Sequence, residues 1–145
     1  MSLATGLVHY YSLSNFTDSK GVLDLTGPDE SQVSAVAGKN GGAQQFDGNP
    51  KSMLRSDSFD DISQITVSTW AYTQGVGGNS YNRIISIDDS SGVTADNSIA
   101  IVWDSDDSRY GTVALVSGTE YGEWINNDIA LGAWVHIVST YDGSD

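Results

Sequence analysis

Three glutamates, Glu30, Glu120 and Glu123, and two histidines, His9 and His136, are the side chains of this 145-residue chain best suited to moving protons. Hydrolysis of a glycosidic bond needs two carboxyl groups flanking it, about 5 to 9 Å apart. Glu120 and Glu123 differ by three positions, which in a strand turns them to opposite faces. His136 reads as a packed ring with one hydrogen bond, cysteine is absent, and no Ser-His-Asp spacing stands out. The expectation is a chain that is not an enzyme. Its aromatic residues suggest a different chemistry, since a ring stacks on the apolar face of a sugar while Asp or Asn takes the hydroxyls. Tyr72, Tyr81, Trp103, Tyr110, Tyr121 and Trp124 are the candidates. Tyr81 follows the glycine-rich stretch Gly75-Val76-Gly77-Gly78, and Trp124 has polar neighbours, so these two are expected to be the most exposed. Together with Tyr121 and Tyr72 they form the expected ligand-binding set.

The elements that must position these rings are strands. Sixteen glycines, four Trp and seven Tyr, with many Ser, Thr and Asn, suit short strands separated by frequent turns. Apolar alternation predicts strands over 7–13, 32–36, 43–47, 52–56, 65–73, 83–88, 98–103, 110–117, 121–125 and 134–141, with single helical turns at most over 58–63 and 126–131. Asp104-Ser105-Asp106-Asp107 lacks the glycine and terminal glutamate of an EF-hand loop and reads as a hairpin turn. No repeat or internal boundary interrupts the pattern, so one all-β domain over 1–145 is expected.

Period two also sorts the faces. Ile65, Val67, Thr69 and Ala71 share one side, and Thr66, Ser68, Trp70 and Tyr72 share the other. Likewise Val135, Ile137 and Tyr141 oppose Trp134, His136 and Val138. Strands apolar on both sides belong inside a layered structure or present one side to a ligand.

The formal charge is −13, from nineteen acidic and six basic residues, and sixteen of the acids are Asp. Such a field repels phosphate and anionic lipid, so nucleic acid is a poor partner. No segment approaches the roughly 20 apolar residues of a spanning helix, and membrane insertion is not expected.

Four motifs occur in order along the chain: Gly38-Lys39-Asn40-Gly41-Gly42-Ala43-Gln44-Gln45-Phe46-Asp47-Gly48, Ile65-Thr66-Val67-Ser68-Thr69-Trp70, Asn82-Arg83-Ile84-Ile85-Ser86 and Gly132-Ala133-Trp134-Val135-His136-Ile137-Val138-Ser139-Thr140-Tyr141-Asp142-Gly143. In that order they resemble the laminin G-like, concanavalin A-like domains. The resemblance implies a two-sheet antiparallel jelly-roll sandwich. Members bind glycans, bind proteins or decorate larger extracellular and phage proteins, and the opening Met1-Ser2-Leu3 followed by Gly6-Leu7-Val8-His9 is similar to copies that begin phage structural proteins.

The resemblance also implies roles for particular residues. Trp70 and Trp134 stand at positions that pack the fold. Many relatives carry a structural calcium ion at the sandwich margin, and the matching positions here are Asp18, Asp47 and Asn49, oxygen donors suited to a hard cation. Members continue past the Tyr-Asp-Gly turn into a further hairpin and a final strand, so these are expected to be missing or supplied by a neighbouring chain. The expected function is a non-catalytic recognition module, carbohydrate-binding or adhesive, on an extracellular or virion surface. Its partner is then a glycan or a protein surface, and other chains of an assembly can join. The alternative is a structural virion component, a capsid decoration or fibre protein packed on neighbouring subunits.

Overall fold

The computed structural model describes residues 6–21, 23–26, 33–46, 64–74, 81–88, 98–116, 119–125, 129 and 131–142. Among them the regular structure is entirely strand: β1 (Val33–Gly38), β2 (Gly41–Phe46), β3 (Ile65–Tyr72), β4 (Tyr81–Asp88), β5 (Ser98–Asp104), β6 (Arg109–Val116), β7 (Thr119–Trp124) and β8 (Trp134–Tyr141). All pair antiparallel, as β1-β2, β3-β8 and β4-β5-β6-β7. The fold is all-β, with several antiparallel sheets as in a β-sandwich. Eight of the expected strands are present, their ends displaced by at most two residues. The expected strand at 52–56 and the helical turn at 58–63 lie outside the described residues, as does most of 126–131, of which Leu131 belongs to a turn.

The chain divides into two compact units, Met1–Asp57 and Ser58–Asp145. In the first, β1 and β2 form a hairpin about Lys39 and Asn40, where Gly38 faces Gly41. Gly41 takes the left-handed φ of 98° that glycine adopts without strain. The segment before the hairpin differs from expectation. Residues 7–13 form no strand, and their one ladder contact is an isolated bridge between Tyr11 and Asp18. The competing interaction is local: the Asp18 carboxylate takes the backbone N–H of Tyr10 within this segment and those of Lys20, Gly21 and Leu23 beyond it, folding the chain around one side chain. Leu13 turns into the left-handed region at φ 58°, and the loop is tied to β2 by Gly42 N–H to Ser14 Oγ (3.2 Å) and Gln44 Nε2 to the Leu13 carbonyl (2.8 Å).

In the second unit, β4 to β7 follow one another as a meander of hairpins. β5 lies inside it and is buried from Ile99 through Asp104. Ile99, Ile101 and Trp103 point to one side and meet Val67 and Ala71 of β3, Ile137 of β8 and Tyr110 of β6. The β3-β8 pair, an eight-residue antiparallel ribbon, thus lays one face on the meander. A bulge between Arg83 and Ile85 lets consecutive Ile84 and Ile85 both pack on this core. Tyr110 is buried beside Trp103 (ring centroids 4.7 Å) and shares a hydrogen bond of 2.6 Å with Thr73. Burial pushes its phenol above the usual range, a shift the Thr73 contact opposes.

Candidate functional site

Alternation along a strand that is core on one side forces every second residue outward. On the ribbon, Val67, Ala71 and Ile137 are spent on the core, so Thr66, Ser68, Trp70 and Tyr72 of β3 and Trp134, His136, Val138 and Thr140 of β8 form the other face. Register then sets the cross-strand partners. Trp70 faces His136, and their rings stack at 4.8 Å between centroids. Tyr72 faces Trp134, with rings tilted at 5.3 Å. The array is therefore two aromatic pairs, one behind the other along the ribbon.

Much of it is open to solvent. Trp70 is 38% exposed, Tyr72 41% and Val138 53%. Trp70 and Trp134 are thus not the core residues expected of them; the core is filled by the opposite face, with Ile137 at 2% exposure. Polar groups border the rings. His136 Nε2 and Ser68 Oγ form a hydrogen bond of 2.9 Å at the surface, and Thr66 and Thr140 pair further along the same face. At the other end Gly132, with φ 76°, donates its N–H to the Thr73 carbonyl (2.8 Å), fixing the turn that feeds Trp134 into β8 beside Tyr72.

Tyr72 belongs to the array. Tyr121 and Trp124 lie three apart on β7 and so on opposite faces, Tyr121 exposed. Trp124 covers Gly111, where a Cβ would run into its ring, and Arg109 stacks on it with Cζ 4.4 Å from the centroid. Tyr81 starts β4, and its side chain lies outside the described residues. Trp103 and Tyr110 are core. What the motif assignment missed is Trp70, Trp134, His136 and Ser68, and the signal that finds them is the period-two pattern with bulk on both faces.

The carboxylates fall into separate settings. Glu120 faces Leu115 and Glu123 faces Thr112, on opposite sides of β7. Asp104 stands at the mouth of the β5-β6 hairpin, whose turn the aspartates form as expected. Its buried carboxylate receives Arg109 at 3.1 Å, and Arg109 also reaches Asp107 at 2.7 Å.

Asp18 anchors the first loop. Oδ1 accepts the backbone N–H of Tyr10 (3.0 Å), Lys20 (3.1 Å) and Gly21 (2.8 Å), and Oδ2 accepts the backbone N–H of Leu23 (3.3 Å) and the imidazole N–H at His9 Nδ1 (2.7 Å). Burial by the loop raises the pKa of this carboxylate. The bonds from His9, Gly21, Tyr10 and Lys20 outweigh it and hold the group well below the usual carboxylate range. A Cβ at Gly21 would push against Asp18 Oδ2 and His9 Nδ1 and so disturb their contact. Oxygens ringed by donors do not fit a calcium ion unless those N–H groups are released. Asp47 and Asn49 lie outside the described residues, and among the described ones no three His, Cys, Asp or Glu side chains gather as a metal group.

No family model, curated protein or solved structure matches this chain.

Proposed function

We propose that the chain is a non-catalytic recognition module of laminin G-like jelly-roll type, displayed on an extracellular or virion surface, which binds glycan on the outward face of the β3-β8 ribbon. One observation carries the reading: two cross-strand aromatic pairs stand one behind the other near Ser68, Trp70 with His136 and Tyr72 with Trp134, in which Trp70, His136 and Tyr72 are exposed and Trp134 is half-buried. Ring faces supply the stacking surface for the C–H side of a sugar, and the Ser68 and His136 groups exchange hydrogen bonds with its hydroxyls. A rigid two-stranded support keeps the rings in place before the ligand arrives, which lowers the entropy cost of binding. Calcium has no part in this proposal, given how Asp18 is occupied.

The test is a glycan array followed by calorimetry on the intact chain and on the Trp70→Ala and Trp134→Ala variants. Binding should weaken at least about tenfold in each, on the order of 1.4 kcal/mol. The control Val36→Ala, on β1, should bind as the parent does. Unchanged affinity in both tryptophan variants sinks the assignment of the face.

A structural virion component is the second reading. Leu7, Val8 and Tyr10 support it, since they expose 41%, 63% and 52% of their surface in one stretch of the first unit, bulk that a neighbouring subunit would cover. Light scattering separates the two, because this reading requires a defined oligomer at micromolar concentration and the recognition reading does not.

A further inference from the structure

The outward face of the ribbon carries aromatic rings, hydroxyls and one imidazole, and no other ionisable side chain except the Tyr72 phenol. None of Thr66, Ser68, Trp70, Tyr72, Trp134, His136, Val138 and Thr140 is Lys, Arg, Asp or Glu. Of the basic residues described in the same unit, Arg83 belongs to β4 and Arg109 to β6. Arg109 is already committed to Asp104, Asp107 and the Trp124 ring.

From this we infer that the ligand is an uncharged glycan, at least two sugar units long and bound along the ribbon; the inference rests on the glycan reading of this face. A sulfate or carboxylate brought against these rings would lose its hydration. Among the eight side chains of this face it would find no guanidinium or ammonium group to replace the lost water, a loss that a buried anion does not recover without a partner. The surrounding field points the same way, since a net charge of −13 repels an approaching polyanion. An uncharged sugar meets neither obstacle. Its hydroxyls need only dipolar partners, which Ser68 and His136 provide at the surface.

The length follows from the spacing. Trp70 and Tyr72 are two residues apart on β3, as are His136 and Trp134 on β8, so the second aromatic pair lies roughly 6.8 Å beyond the first. That step is on the scale of one sugar ring to the next in an extended chain. Successive units then stack on Trp70 with His136 and on Tyr72 with Trp134, and a single sugar engages only one pair.

The experiment uses the intact chain with neutral hexasaccharides (cellohexaose, laminarihexaose, mannohexaose and the chitin hexamer) against heparin hexasaccharide and a sialylated oligosaccharide. The expected result is binding to at least one neutral hexamer, its affinity changing less than about twofold between about 50 mM and about 500 mM NaCl because no ion pair is screened. The matching monosaccharide should bind at least about tenfold more weakly. Tightest binding to heparin, falling steeply with salt, would overturn the uncharged-glycan inference and leave the glycan reading standing. Equal affinity for monosaccharide and hexamer would overturn the two-unit geometry. Failure of all six probes, charged and uncharged, would sink the glycan reading and this inference with it.

Discussion

Asp18 shows how one side chain decides the course of a segment. Hydropathy alone favours a strand over residues 7–13, yet one carboxylate accepting N–H groups from Tyr10, Lys20, Gly21 and Leu23 closes the chain into a loop instead. The charge state of that carboxylate therefore sets the stability of the loop. Its pKa is depressed in the folded chain, so the stabilisation is complete above the unfolded value, about pH 4. It is lost as pH falls through the lower folded value. Asp18→Asn should accordingly melt below the parent at neutral pH, and the gap between the two melting temperatures should close as the pH drops below about 4. Thermal melts of both proteins between neutral pH and about pH 2 check this, and a gap that stays constant across that range would refute the assigned role. No alternation of apolar residues announces such an anchor, because what matters is which donors the loop brings within 3.3 Å of two oxygens.

At the level of strands, much was legible. Turn residues and period two located eight strands, because each lies partly against a core and must alternate. They located the Asp104 hairpin turn for the same reason. Faces were less legible. Trp70 and Trp134 were placed inside by the motif they resemble, while the alternation of Val67 and Ala71 with Trp70 and Tyr72 already set them on the other side. Trp124 illustrates a different limit. Its neighbours in sequence are polar, but its environment is set by Gly111 and Arg109 across the ladder, and pairing register is not a local property. The two kinds of face should respond differently to truncation. Ile101→Ala, in a strand 1% exposed at that point, should cost about 2–5 kcal/mol. Val138→Ala on the outward ribbon face should stay within about 0.5 kcal/mol. Denaturant titration of the two variants measures both, and equal losses would mean that the outward face is packed against something.

Across the molecule, the topology of the second unit combines short-range and long-range pairing. The meander β4-β5-β6-β7 links neighbours in sequence, whereas β3 and β8 meet from opposite ends of the unit. Ile65, where β3 begins, is the register partner of Tyr141, where β8 finishes. Tension applied to the chain at these two residues would load the ribbon at that one pair. The ladder bonds run across the strands, so such a load opens them one after another like a zipper and never shares itself among them. In single-molecule pulling with handles before Ile65 and after Tyr141, the ribbon should part first and at low force, with the meander yielding in a later event. A glycan held on the ribbon as proposed would then be released by pulling the chain, with the meander still folded.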